Sequence, residues 1–245
     1  MNPSPYPAPY NSAHGRARIV KILLAVGAIA TAMSLLCEAL SLAFPPLREE
    51  QELGDNPIGA VVVLLTALVA LLEFFIYLVT VVFFLMWLYR AYNNLRVFNS
   101  WDRPTYSPGF AVGSFFIPFA NLVIPYRVVK ETWQKSGMPD EGYLAATNPP
   151  SSFPIWWLFW LLAGFANNIS IRLSFSDGVP ANTATMVSIV ASALSILAAV
   201  FAYLVVDAID QKQEETSAKL KLGQFPAPPP PPSDLSVPNV MTHYE

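Results

Sequence analysis

Four long apolar runs separated by short polar stretches dominate the chain, from about Ile19 to Phe44, Ile58 to Tyr89, Phe153 to Leu173 and Thr183 to Val206. About 20 apolar residues suffice to cross the hydrocarbon core as a helix, so each run predicts a transmembrane span. The second is the most informative. Between 58 and 89 its only acidic or basic side chain is Glu73, and it then delivers Arg90, Asn93, Asn94 and Arg96, as a span does on reaching the polar face of a bilayer. A shorter apolar piece, 110–126, is interrupted by Pro118, Asn121 and Pro125. The expected fold is an all-α integral membrane protein, with four transmembrane helices plus a Pro-broken re-entrant or interfacial segment.

The basic residues sort with that arrangement. Arg16, Arg18, Lys21, Arg90, Arg96, Arg103, Arg127, Lys130, Lys135, Lys212, Lys219 and Lys221 fall on one side, leaving Arg48 and Arg172 on the other. This positive-inside bias predicts a multi-pass protein of the cell membrane with both termini cytoplasmic. A fifth crossing at 110–126 would instead put Arg127, Lys130 and Lys135 opposite Arg90 and Arg103. The loops at Pro45 to Pro57 and about Ser174 to Asn182 read as short outer turns. Leu36, before the single Cys37, is bulkier than a lipoprotein cleavage site resembles, so the first run reads as an uncleaved span.

Composition removes the soluble alternative: 54% of residues are hydrophobic, 13% are charged and mean hydropathy is +0.43, against about 25% charged in soluble domains. The ends differ from the middle. Residues 1–17 form a Pro- and Tyr-rich tail, and 223–245 a second Pro-rich tail containing the run Pro228 to Pro232. Both are expected to be disordered with polyproline II character. Residues 211–222, rich in Lys, Glu and Gln, read as a cytoplasmic extension of the fourth helix, which leaves 18–210 as the membrane domain.

Candidate chemistry is sparse. Trp87, Arg90 and Asn93 repeat every three residues and share a helix face, which suits an interfacial belt that meets lipid headgroups; Arg127, Lys130 and Trp133 would extend it. Pro118 and Pro125 free carbonyls that Asn121 would help satisfy, either in a broken helix lining a transport path or in a shallow hairpin facing headgroup water. Glu73 lies 14 residues before Trp87, about 21 Å along a helix, so it should face the bundle interior, with Asn167 and Asn168 as candidate partners. The two histidines, His14 and His243, fall in the tails. No P-loop, dinucleotide fingerprint or nucleophile elbow is present, so neither an enzyme, a cofactor nor a metal site is expected.

One stretch is more specific. Trp87-Leu-Tyr-Arg90-Ala-Tyr-Asn93-Asn94-Leu95, Tyr106-Ser-Pro108, Ala111-Val-Gly113, Phe116-Ile-Pro118-Phe-Ala-Asn121-Leu122, Pro125-Tyr126 and Glu131-Thr-Trp133 together resemble a family of bacterial membrane proteins called domain of unknown function 4328. The resemblance spans roughly 60–210, implies a multi-span membrane protein, and brings no catalytic residues. The expected function is non-enzymatic: a membrane interaction or scaffold protein whose partners are membrane lipids and cytoplasmic proteins that bind the tails, with nucleic acid not expected. The alternative is a small transporter or channel, a homo-oligomer that uses Glu73 and the broken segment.

Overall fold

A computed structural model describes residues 10–43, 57–98, 103–137, 148–176 and 178–220. Every regular element among them is helical: α1 (His14–Ala43), α2 (Pro57–Phe98), α3 (Pro108–Gly113), two 3-10 turns (Ser114–Phe116 and Ala120–Leu122), α4 (Ile124–Gln134), α5 (Ser152–Ser174) and α6 (Ala181–Lys219). Among the described residues, α1, α2, α5 and α6 are long and apolar enough to cross a membrane. They correspond to the four runs anticipated from the sequence.

Length decides where the rest of the fold must lie. With 42 residues α2 extends about 63 Å, roughly twice the ~30 Å hydrocarbon core. The 39 residues of α6 extend it almost as far. Both helices therefore project beyond the bilayer. The extension anticipated at 211–222 is continuous helix as far as Lys219.

The long helices stand in a row, in the order α2, α1, α6, α5. At one end the row closes. The Arg16 guanidinium donates to the Met86 carbonyl at 2.9 Å, Lys21 pairs with Asp207 at 2.8 Å, and Phe84 meets Trp156 with ring centroids 6.2 Å apart. The start of α1, the end of α2, the start of α5 and the end of α6 thus share what we term the basic end. The fully buried side chains gather here: Val20, Trp87, Leu88, Tyr92, Leu95, Val128, Val129, Phe153, Val205, Val206 and Ile209. Toward the other end, Leu64, Leu72, Phe75, Met33 and Val190 are exposed, as lipid-facing positions are in a bundle without its bilayer.

The segment between α2 and α5 returns to the end it left. Tyr92 of α2 donates to Glu131 of α4 at 2.6 Å, and Trp133 of α4 packs on Phe153 of α5. It is a hairpin lying at one end of the row. The first tail is shorter than the sequence suggested: α1 begins at His14, and Tyr10, Asn11 and Ser12 are already docked. Sequence position alone placed His14 in a disordered tail, whereas its Nδ1 lies 3.0 Å from Asp210 Oδ2. His243 and the second tail lie outside the described residues.

Candidate functional site at the basic end

Glu131 organises the site. It sits in the last turn of α4, 8% exposed, and its two carboxylate oxygens are held from three directions. Tyr92 donates to Oε2; the Thr105 backbone N–H and hydroxyl donate to Oε1 at 2.8 and 2.7 Å; Lys135, one turn on, lies 3.0 Å from the same atom. Burial pushes this carboxyl upward, but the hydrogen bonds from Tyr92, Thr105 and Lys135 outweigh it and hold the group below its usual range. Tyr92 also accepts the Tyr106 N–H at 3.0 Å. One carboxylate and one phenol thereby tie the loop at 103–106 to two helices. Thr105, Tyr106, Arg127, Glu131, Gln134 and Lys135 line an open groove of about 350 Å³.

A second network holds α6. The Gln213 amide donates to the Ala91 carbonyl at 2.9 Å and to Ser136 Oγ at 3.0 Å, while Thr216 donates to the Ser136 carbonyl at 2.7 Å. Asn94 donates to the Asn11 carbonyl and to Gln213 Oε1. The Lys212 ammonium lies 3.7 Å from the centroid of the Trp133 ring. A third cluster fastens the beginning of the described chain: Ser12 and Tyr10 donate to Glu214 at 2.7 and 3.1 Å, and Lys21 and His14 converge on Asp210.

The residues anticipated as an interfacial belt separate under this geometry. Trp87 is fully buried against Phe84, and its Nε1 has no hydrogen-bond partner among the described residues, so it packs the core and does not reach headgroups. The three-residue spacing misled because the buried stripe on α2 is Trp87, Leu88, Ala91, Tyr92 and Leu95, at the three-and-four rhythm of an inward face. Asn93 takes no part in the networks, and Arg90 donates to the Ser12 carbonyl at 3.3 Å. Trp133 lies under Lys212. Of the belt, Arg127 is left exposed and Lys130 half-buried.

The broken segment also differs in detail. Pro125 lies in the first turn of α4, where its missing N–H costs nothing, so it starts a helix instead of breaking one. Pro118 precedes the break, and Phe119 turns the chain with φ +63°, a left-handed value that a bulky residue rarely takes. Asn121 meets a carbonyl through its backbone N–H, which donates to Ile117 at 2.9 Å, while its side-chain Oδ1, an acceptor, is buried with no partner among the described residues.

Glu73 faces α1 and not α5. Ser34 donates to it at 2.7 Å, whereas Asn167 donates to the Ala163 carbonyl and to Ser195 of α6. Asn168 turns back on Gly164. The row order explains the correction, because α1 stands between α2 and α6 and keeps Asn167 away. Glu38 of α1 likewise accepts from Ser188 of α6 at 2.7 Å. Among the described residues, no three of His, Cys, Asp and Glu gather where a metal ion would fit.

Tyr92, Thr105, Glu131, Gln213 and the docked residues Tyr10 to Ser12 were not anticipated as site residues. Tyr92 and Glu131 do lie inside the motif stretches that carry the resemblance. Comparison with curated proteins and with solved structures finds no match. The family model described as Domain of unknown function (DUF4328) matches residues 56–211, from the start of α2 into the extension of α6. That match covers more than half of the chain and contains α4 and the whole Glu131 network, while Lys212, Gln213 and Thr216 of the second network lie just beyond it, so the protein belongs to the DUF4328 family.

Proposed function

We propose that the protein is a non-enzymatic membrane scaffold that holds a rigid platform at the inner face of the cell membrane, with both tails in the cytoplasm. The observation that carries the reading is the placement of its polar order. Hydrogen-bonded and ion-paired groups converge on the basic end, where four helix ends, α4 and residues 10–12 are locked together. Within the spans, Glu73, Glu38 and Asn167 each bond across to a neighbouring helix, which is how isolated polar groups cement a bundle. The asymmetry of Lys and Arg supports the orientation. The Pro-rich tails at 1–9 and 223–245 would recruit soluble proteins through extended proline segments.

The test compares the full chain in native lipid discs with a version lacking 1–9 and 223–245, which spares the docked Tyr10 to Ser12. Recovery of a defined cytoplasmic protein by the full chain alone is the expected result. Proteoliposomes provide the opposing arm: proton or cation flux abolished by Glu73→Gln would overturn the scaffold in favour of transport.

A further inference from the structure

The hairpin between α3 and α4 ends in an exposed apolar tip. Phe116 and Phe119 are 70% and 86% exposed, and Ile117, Leu122 and Val123 are exposed beside them. We propose that this tip is a wedge inserted among the acyl chains of the leaflet at the basic end, with Arg127 and Lys130 at its base holding anionic lipid headgroups.

Depth argues for lipid. Phe115, next to the tip, packs against Phe84 of α2 and Trp160 of α5 at 6.0 and 6.5 Å, and the Trp157 indole donates to the Leu122 carbonyl at 3.2 Å. Phe84 lies eight residues inward from Tyr92, about 12 Å along α2. With Arg90 to Arg96 forming the charged edge of α2, the tip hangs beside two spans about 12 Å inward, less than half the ~30 Å core and so within one leaflet. Its backbone fits that medium. The N–H groups of Ala120, Asn121, Leu122 and Val123 bond to carbonyls within the hairpin, as backbone entering hydrocarbon requires.

Charge agrees. From 104 to 126 there is no Asp, Glu, Lys or Arg, and the next residues carry Arg127 and, one turn on, Lys130. Apolar tip followed by cations is the order in which acyl chains and anionic headgroups are met on leaving a bilayer. This supplies the lipid partner of the scaffold reading and rests on it only for the chain crossing a membrane. Tail-dependent recruitment can fail while the wedge stands.

The experiment attaches an environment-sensitive fluorophore at Phe116→Cys and, separately, at Phe119→Cys, each in a Cys37→Ser background and in discs of mixed zwitterionic and anionic lipid. Lipids brominated on the upper acyl carbons should lower emission about twofold, while aqueous iodide has little effect. Quenching by iodide but not by brominated lipid at both sites would overturn the wedge. So would self-quenching relieved by dilution with unlabelled protein, which would mean that a second copy covers the tip. For the base, Arg127→Gln with Lys130→Gln should reduce the anionic lipid that copurifies by about twofold, and an unchanged lipid complement would refute that half.

Discussion

Glu131 is anchored by neighbours it cannot replace. Tyr92→Phe removes a donor to the carboxylate and an acceptor for the Tyr106 N–H at once, and leaving a buried group unpaired costs about 1–3 kcal/mol. Thermal unfolding in detergent should show that loss, with the exposed Tyr77→Phe unchanged. The fold holds the Glu131 carboxyl below its ordinary 4.5, so the charged form contributes its full stability above that pH. The contribution is lost as pH falls through the lowered folded value. Melting followed from pH 7 to 3 should therefore show an acid-dependent loss that Glu131→Gln reduces. These residues were visible in the motif but their roles were not, because their partners arrive from distant segments. Gln213, for example, meets Ala91 across 122 positions, which no local periodicity reports. The buried stripe on α2 is legible in its three-and-four spacing, but Trp and Arg at the end of a span equally suit an interface, and residue type does not choose between the two.

At the scale of elements, the hairpin and the α6 extension behave differently. Phe119, at φ +63° and ψ −43°, is the central residue of a γ-turn closed by the Ala120 N–H on the Pro118 carbonyl, a strained conformation that costs a non-glycine residue about 1–3 kcal/mol. Phe119→Gly should raise thermal stability by about 1 kcal/mol while weakening the response of the Phe116 fluorophore to brominated lipid, because the strained residue is also the most exposed of the tip. Stability and insertion would move in opposite directions. On α6, Gln213→Leu removes the donor to Ala91 and Ser136 and should cost about 1–3 kcal/mol, with limited proteolysis then cutting beyond residue 210. The four spans were legible because apolar length alone dictates them. The hairpin was legible only as a disturbance, since proline marks a break without saying on which side the chain resumes.

At the scale of the whole molecule, the row of helices makes orientation testable. A side chain introduced at Gly109 would meet open space, and Ser176 is exposed near the opposite end of α5, whereas Ser114 and Ser136 are buried. With Cys37→Ser, a thiol reagent should reach Gly109→Cys only from the cytoplasmic side and Ser176→Cys only from outside. The Glu73 side chain should matter little: Glu73→Gln keeps a carbonyl oxygen for Ser34, so stability should change by no more than about 0.5 kcal/mol. The order of the row was out of reach of the sequence, because lipid-facing and helix-facing apolar residues look alike in these uniformly hydrophobic spans.

The docking of Tyr10 and Ser12 onto Glu214 joins positions 204 and 202 apart, near the two limits of the described chain. A ribosome releases the first of these long before the second exists. This docking, unlike the contacts among α1, α2, α4 and α5, therefore waits until α6 has been made and inserted. A chain that stops before α6 would keep its first three spans but leave residues 10–12 loose, exposing a cleavable segment by which incomplete copies can be told from finished ones.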